Sequence, residues 1–272
     1  MKIFCNIIRK YLSRVLCAAA VLSAAALSGC TDSAATNAAA LKKAVESGRL
    51  GLWKECEDHA CTVLKRDPVN PYALLLRSLA AEHQGKLDIA LASARQASEN
   101  APDYFPAQYS YGRLLAQQPE SSKAAVQVLE RALKLRPGNR NTLLLLGQCS
   151  SRLNDDKALE YYQALPQSVQ QQPEILTRIA IYYLDRRDRD QRNLVLAYNA
   201  LRDAYRKHPD NPVIVLNTAL FLDHYAGNRR QAIVFYNRFL DLTKHNPELN
   251  PTRAQVTARK SMLLNNSNSG RR

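Results

Sequence analysis

Glycine, phenylalanine and tryptophan are scarce in this chain of 272 residues, which has nine glycines, five phenylalanines and one tryptophan. The glycines stand singly, so no glycine-rich loop of the kind that cradles phosphate groups is present. The GxSxG pattern of a strained nucleophile turn is absent, and the five histidines lack metal-ligand spacing such as HExxH. The sequence therefore predicts no catalytic residue, no metal site and no cofactor. A Ser-His-Asp arrangement assembled from distant residues stays open.

Acidic residues are missing from the start of the chain. Residues 1–14 carry four Lys or Arg residues and no acid, and residues 15–27 form the apolar run VLCAAAVLSAAAL. This order is typical of a secretory signal peptide. The apolar run, at about 13 residues, is shorter than the roughly 20 that a membrane-spanning helix requires. We therefore expect residues 1–29 to be a cleaved leader rather than a retained span.

The leader ends in Leu27-Ser28-Gly29-Cys30, which resembles the lipobox of bacterial lipoproteins. The resemblance implies that the sulfur of Cys30 carries diacylglycerol, that residues 1–29 are removed, and that residues 30–36 are the lipidated cysteine and a tether. Two or three acyl chains anchor a protein stably, since each buried methylene contributes about 0.8 kcal/mol. An Asp after the cysteine favours retention in the enterobacterial inner membrane, whereas here Thr31 follows. We expect a lipid-anchored protein of the bacterial cell envelope, at the outer membrane and facing the periplasm.

Few cysteines and a positive charge characterise the remaining chain. Loss of the leader leaves roughly +10 of the formal +14 charge. An exported basic chain favours anionic headgroups, lipopolysaccharide or an acidic protein face as partners rather than nucleic acid, unless the charge serves only solubility. Besides Cys30, only Cys56, Cys61 and Cys149 remain, and their spacing matches neither a disulfide framework nor a metal site. We expect these three to be small packing residues.

Prolines recur at near-equal spacing through the rest of the chain. The separations are 34, 35, 36, 36 and 38 residues, between Pro68, Pro102, Pro137, Pro173, Pro209 and Pro247. Between successive prolines the apolar pattern predicts two helices of about a dozen residues each. Polar or glycine-containing turns, such as Gln84-Gly85-Lys86, separate the two helices. Each proline ends one helical pattern and is tolerated in the first turn of the next helix.

The repeat resembles the tetratricopeptide repeat, a helix-turn-helix unit of 34 residues with small residues at positions 8, 20 and 27 and proline near 32. The unit at 71–104 has Ser78, Ala90, Ala97 and Pro102 in those places. The later units supply equivalent small residues at Gly112, Ala125 and Ala132, at Gly147 and Ala158, at Ala180, Ala197 and Ala204, and at Ala219 and Ala232. The resemblance implies an all-α solenoid of about six such repeats.

Several boundaries follow from this register. The solenoid occupies 37–264, including a capping helix at 250–264, and residues 265–272 form a disordered polar tail. In the looser first unit, Gly48 marks the turn. Pro166 cuts the second helix of the fourth unit short. The long charged turn DRRDRDQRN, residues 185–193, is interpreted as a solvated loop.

The resemblance also implies a ligand surface. In this family, ligands usually lie along the concave face made by the first helix of each unit, chiefly at positions 2, 5, 9, 12 and 13. Carried onto this sequence, those positions give Tyr72, Leu75, Leu79, Glu82 and His83, then Tyr109, Arg113 and Gln117, then Asn141, Leu144, Gln148 and Arg152, and finally Val213, Leu216, Leu220 and His224. Several of the leucines have equal reason to pack inside the solenoid.

These features predict a non-catalytic scaffold that is anchored in the envelope and binds protein partners, with no small-molecule substrate. Its architecture is similar to that of the pilotin lipoproteins of type IV pilus secretins, which combine a lipid anchor with about six such units. Adaptors of peptidoglycan hydrolases, scaffolds for polysaccharide export and a hydrolase regulator with a cryptic active site remain alternatives. The identity of the partner and the oligomeric state are open.

Overall fold

The computed structural model describes residues 31–269, which divide into two compact units between Cys149 and Ser150. All regular elements in these residues are helical. The first unit contains α1 (Thr31–Arg49), α2 (Trp53–Leu64), α3 (Pro71–His83), α4 (Leu87–Asn100), α5 (Phe105–Ala116), α6 (Ser122–Leu135) and most of α7 (Arg140–Arg152). The second contains α8 (Lys157–Gln163), α9 (Gln167–Gln170), α10 (Pro173–Asp185), α11 (Arg192–Lys207), α12 (Pro212–His224), α13 (Arg229–Leu242) and α14 (Asn250–Ser269).

Three of the recurrent prolines, Pro68, Pro137 and Pro209, lie in turns whose asparagine caps the next helix. In the stretch from Asp67 to Asn70, the Asn70 N–H donates to the Asp67 carbonyl at 3.2 Å, so Pro68 occupies the second position of the turn. Two residues after the proline, the Asn70 side chain accepts a hydrogen bond from the Ala73 N–H at 3.0 Å. Asn139 and Asn211 do the same after Pro137 and Pro209. Each Pro-x-Asn therefore closes one repeat and starts another.

In the first unit, consecutive helices pack as pairs: α1 with α2, α3 with α4, and α5 with α6. Small residues allow the close approach within each pair. The Ser78 hydroxyl on α3 donates to the Ala90 carbonyl on α4 at 2.8 Å. A Cβ built on Gly112 would lie 2.7 Å from the Leu129 Cγ of α6. The predicted small positions are thus the places where the two helices of a repeat meet.

The second unit repeats the pairing, with α10 against α11 and α12 against α13. Its larger core cluster contains Tyr236 and Phe239 from α13 together with Val256 and Leu263 from α14. The predicted capping helix is therefore present and packs on the last repeat.

The ends of the solenoid differ from expectation. α1 begins at Thr31, inside the predicted tether, because residues 31–41 are rich in alanine and contain no Pro or Gly. α14 runs to Ser269, past the predicted end at 264, since no helix breaker precedes Gly270. The predicted leader and Cys30 lie outside the described residues. Across residues 31–269, no helix has the length and apolar character to cross a membrane.

The turn of the first repeat was misplaced in the sequence prediction. Gly48 is buried inside α1, and the turn instead contains Gly51, whose φ of 78° favours glycine. Cys56, as predicted, is a packing residue in the core beside Ala44 and Ala60. Burial raises the pKa of its thiol to about 11, so the thiolate is suppressed at neutral pH.

The charged turn after α10 is not simply a solvated loop. Pro166 does end the preceding helix pattern, leaving α8 and the short α9. The Arg186 side chain then enters the space beside α8, where its Nε donates to Asp156 Oδ1 at 2.8 Å and its Nη2 donates to the Asp155 carbonyl at 2.8 Å. Its guanidinium also lies 3.8 Å from the ring centre of Tyr182. Only 3% of Arg186 is exposed, so this residue packs the unit together.

Candidate functional site

The predicted groove residues lie on, or directly after, the first helices of the pairs. In the first unit they belong to α3, α5 and α7, with Gln117 just beyond α5; in the second unit they are Arg152 at the end of α7 and the residues of α12. Half-buried side chains are Tyr72, Leu75, Leu79, Glu82, Tyr109, Arg113, Asn141, Leu144, Gln148 and Leu216. Exposed side chains are His83, Gln117, Arg152, Val213, Leu220 and His224. None of the predicted residues is fully buried in its unit.

Arg113 of α5 and Glu82 of α3 form a two-point ion pair. The Arg113 Nη1 donates to Glu82 Oε1 at 2.6 Å, its Nη2 donates to Oε2, and the Gln117 Nε2 donates to Oε1 at 3.1 Å. Burial acts to raise the pKa of Glu82, but the hydrogen bonds and charge of Arg113 outweigh it and hold the pKa below its ordinary value. Arg113 therefore bridges two repeats and does not present an unpaired positive charge.

An aromatic platform lies at the end of α3. The indole of Trp53, from α2, stacks on the imidazole of His83 with ring centres 3.7 Å apart and planes 3° apart. Burial and the nearby Arg113 lower the pKa of His83, against the opposing charge of Glu82. His83 is thus neutral at pH 7 and acts as a polar, flat surface rather than a cation. Trp53, the single tryptophan of the chain, was not among the predicted site residues.

Two groove tyrosines are supported by aromatic neighbours. The Tyr72 ring meets Tyr104 edge-on with centres 5.2 Å apart, and Tyr109 stacks on Phe105 with centres 5.6 Å apart. The Arg136 guanidinium covers the Phe105 ring at 4.3 Å. Such contacts fix ring orientations before any ligand arrives, which lowers the entropy cost of binding. Tyr72 and Tyr109 stay half-buried, so part of each ring faces solvent.

The second unit contains a related polar cluster around Asp223 of α12. The Arg259 Nε donates to Asp223 Oδ2 at 2.7 Å and its Nη2 donates to Oδ1 at 2.9 Å, while the Tyr236 hydroxyl donates to Oδ2 at 3.0 Å. The hydrogen bonds from Arg259 lower the pKa of Asp223, and burial only partly opposes them. His224 Nε2 lies 4.0 Å from the same carboxylate. Leu216 packs against the apolar core below.

The two polar clusters occupy equivalent places in the repeat. Glu82 and Asp223 both stand at position 12 of their repeats, and each is followed by histidine. Arg113 stands at position 9 of the repeat that follows Glu82. Pro212 is the first residue of the repeat that contains Asp223. If Pro251 is likewise taken as the first residue of the next repeat, Arg259 also falls at position 9. Neither Asp223 nor Arg259 was among the predicted groove residues, although Asp223 stands at one of the ligand positions of its repeat; Arg259 lies on α14, which the prediction treated as a cap outside the repeat register.

Among the described residues, 31–269, no group of three or more His, Cys, Asp or Glu side chains is arranged to hold a metal ion. The polar clusters above pair acids with arginines, which satisfies both charges inside the protein. The groove residues on the first helices therefore present partly exposed aromatic and apolar side chains beside acids that are already paired with arginines.

Comparisons with known proteins agree with this architecture. A family model described as tetratricopeptide repeat matches residues 59–104 and 84–140. No curated protein matches the chain. PilW, a widely conserved type IV pilus biogenesis factor, is 19% identical with a TM-score of 0.60, over 79% of this chain and 97% of PilW. PilF of Pseudomonas aeruginosa is 16% identical with a TM-score of 0.55, over 82% of this chain and 99% of PilF.

A third solved structure has the same fold. YrrB, described as a tetratricopeptide-repeat protein with an unusual peptide-binding site, is 18% identical with a TM-score of 0.52, over 69% of this chain and 93% of YrrB. At these identities the similarity is one of fold. The repeated helix pairs and these structures show that the described residues share the fold of tetratricopeptide-repeat proteins, and residues 59–140 match the family model of the repeat itself.

Proposed function

We propose that the protein is a non-catalytic scaffold that binds segments of partner proteins along the first helices of its repeats. The observation that carries the proposal is a set of half-buried aromatic and apolar side chains on two successive first helices of one unit: Tyr72, Leu75, Leu79 and Tyr109. Aromatic side chains held in place by neighbours provide much of the binding energy at protein interfaces. The same helix faces carry ligands in other proteins of this fold.

The electrostatics of this surface favour an apolar segment rather than an acidic tail. Glu82 neutralises Arg113, and His83 is uncharged at pH 7. A clamp for a terminal carboxylate needs several unpaired cations, and this pair does not provide one. We therefore infer an extended or helical partner segment whose apolar side chains insert between Tyr72 and Tyr109.

We further propose that the scaffold is anchored in the bacterial envelope through lipid on Cys30 and faces the periplasm from the outer membrane. The support is the sequence Leu27-Ser28-Gly29-Cys30 behind a basic and apolar leader. Lipid anchoring confines the scaffold to the membrane surface, so a partner held by it is confined there too.

Assembly of a type IV pilus or its secretin is the envelope process we propose. Its support is the combination of a lipobox with about six repeats, and the shared fold with PilW and with PilF. Regulation of peptidoglycan hydrolases and polysaccharide export use similar architectures and stay as alternatives. Neighbouring genes for pilus components, hydrolases or glycosyltransferases distinguish the three.

Capture of a partner from a detergent extract of the envelope tests the groove. We expect Tyr72→Ala with Tyr109→Ala to abolish capture, because both aromatic anchors are lost while helical content, measured by circular dichroism, is retained. Tyr198→Ala is the control, since it removes an exposed tyrosine of α11 outside the groove. Arg113 is left unchanged because its removal would break the ion pair with Glu82. Undiminished capture by the double variant would contradict the proposal.

A further inference from the structure

The last helix, α14, leaves one of its faces uncovered. Val256 and Leu263 point into the core and are 5% and 2% exposed. Met262 and Leu264 are 58% and 46% exposed, and Ala258 is exposed as well. One side of α14 is therefore packed, and the other exposes small side chains and the apolar Met262 and Leu264 together with polar residues such as Gln255 and Thr257.

The repeat register shows what such a face does elsewhere in the chain. With Pro251 as first residue, Ala258 stands at position 8, the position held by Ser78, Gly112, Ala180 and Ala219 in other repeats. All four of those residues are buried. Ser78 and Gly112 contact the second helix of their own pair directly, through the contacts to Ala90 and Leu129. The exposed face of α14 therefore contains the position that in the other repeats is covered by the second helix.

No second helix occupies this position within the described residues. After every other first helix the chain turns back as a second helix. Apart from the long α1, these first helices have 12 or 13 residues, as α5 and α12 do. α14 instead continues as one helix of 20 residues to Ser269.

The charges of α14 indicate the chemistry of an occupant. The helix carries Arg253, Arg259 and Lys260 and no acidic residue. Asp223 neutralises Arg259. Arg253 Nη1 and Lys260 Nζ donate to neutral oxygens, the Lys244 carbonyl and Asn237 Oδ1, and so keep their full charge. A second copy packed through α14 would bring like charges together, whereas an acidic helix would complement them.

We propose that the exposed face of α14, formed by Ala254, Ala258, Ser261, Met262 and Leu264, binds an acidic amphipathic helix of a partner protein. That helix takes the place of the second helix in a repeat and extends the solenoid by one pair. Its apolar side packs on Ala254 and Ala258 between Met262 and Leu264, which lie at the two edges of the face, and one acidic flank lies along the edge of α14 that carries Arg253 and Lys260. None of these residues belongs to the groove, so the two surfaces act independently.

Two synthetic peptides test the proposal against the purified full chain. Both are 14-residue helices, held helical by a hydrocarbon staple on the outer face, that keep the buried residues Ala125, Val128, Leu129 and Ala132 of α6. One has Glu at the flanking positions, and the other has Lys. By fluorescence anisotropy at low salt, we expect the Glu peptide to bind at least about tenfold more tightly than the Lys peptide.

Substitutions locate the binding surface. Ala258→Arg places a long side chain where the two helices would approach most closely, and we expect this steric obstruction to outweigh its attraction for Glu and to weaken the Glu peptide about tenfold or more. Met262→Glu should weaken it by charge repulsion. Ala124→Arg is the matched control, since it makes the same change at an exposed alanine of α6. Tyr72→Ala with Tyr109→Ala should leave this binding unchanged, which separates it from the groove.

Three results would overturn the proposal. Equal affinity for the Glu and Lys peptides would show that the partner helix need not be acidic. Affinity that neither Ala258→Arg nor Met262→Glu changes would show that the peptide does not bind this face of α14. Self-association of the chain in sedimentation velocity, abolished by Ala258→Arg, would make the occupant a second copy instead.

Discussion

Small residues set the distance between paired helices, and Gly112 shows how tight this approach is. Its missing Cβ would lie 2.7 Å from both Cγ and Cδ2 of the fully buried Leu129, closer than atoms pack. Gly48, also inside a helix, has room, since a Cβ there would lie 3.5 Å from the Cys56 Sγ. The two glycines therefore respond differently to the same substitution.

We expect Gly112→Ala to destabilise the first unit, because an overpacking cost of about 1–3 kcal/mol exceeds the helix-propensity gain of about 1 kcal/mol. Gly48→Ala should be neutral or stabilising by up to about 1 kcal/mol. Urea unfolding followed by circular dichroism measures both. Equal effects at the two sites would show that Leu129 moves aside freely.

The Asp223 carboxylate makes stability depend on pH. Its folded pKa lies below its unfolded value of about 3.9 because of the bonds from Arg259. The pair therefore contributes fully above the unfolded pKa, and the contribution is lost as the pH falls through the folded pKa. We expect the free energy of unfolding of the second unit to fall below about pH 4 and Asp223→Asn to flatten that fall. Asp241→Asn, at an exposed acid of α13, is the control; an equally flattened profile there would refute the assignment.

Residue-level prediction succeeded where spacing alone sufficed. Ser78 and Gly112 were identified as close-contact positions because the 34-residue register places them. The engagement of Arg113 by Glu82 was missed, because an ion pair between helices depends on which faces meet in three dimensions. Trp53 was missed for the same reason, since it reaches His83 from a second helix.

Among the secondary-structure elements, the spacing of the prolines predicted the helix pairs. It did not predict the side-chain contacts that stabilise the turns between helices. The Pro-x-Asn turns are local, so their capping could have been recognised from the sequence at Asn70 and Asn211. The role of Arg186 could not, because its partners Asp155 and Asp156 lie about 30 residues earlier in the chain. α14 was recognised as a cap but not as the first half of a repeat.

Arg186 should matter more than its neighbours in the same turn. We expect Arg186→Lys to destabilise the second unit by about 1.5–3 kcal/mol, since a lysine cannot reproduce the bonds to Asp156 and the Asp155 carbonyl. Arg189→Lys is the matched control: that side chain is 54% exposed, and solvent screens its contact with the exposed Asp156. Thermal unfolding distinguishes the two, and equal losses would contradict the packing role of Arg186.

At the scale of the whole molecule, the proposed lipid anchor decides where the scaffold works. We expect Cys30→Ser to yield a protein that a detergent-free wash extracts from membranes, because no acyl chain is attached. Fractionation and immunoblotting measure this, with Cys61→Ser as the control at a cysteine within α2. Full retention of the Cys30→Ser protein on membranes would show that Cys30 is not the anchor.

Site-specific photocrosslinking in the native cell tests whether the groove holds a partner protein. Tyr109 and, separately, Tyr198 are replaced by p-benzoylphenylalanine, which preserves an aromatic ring at each site. We expect one dominant crosslinked partner from position 109, identified by mass spectrometry, loss of that product on adding Tyr72→Ala, and no such product from position 198. Identical products from both positions, or none from position 109, would show that the groove does not hold the partner.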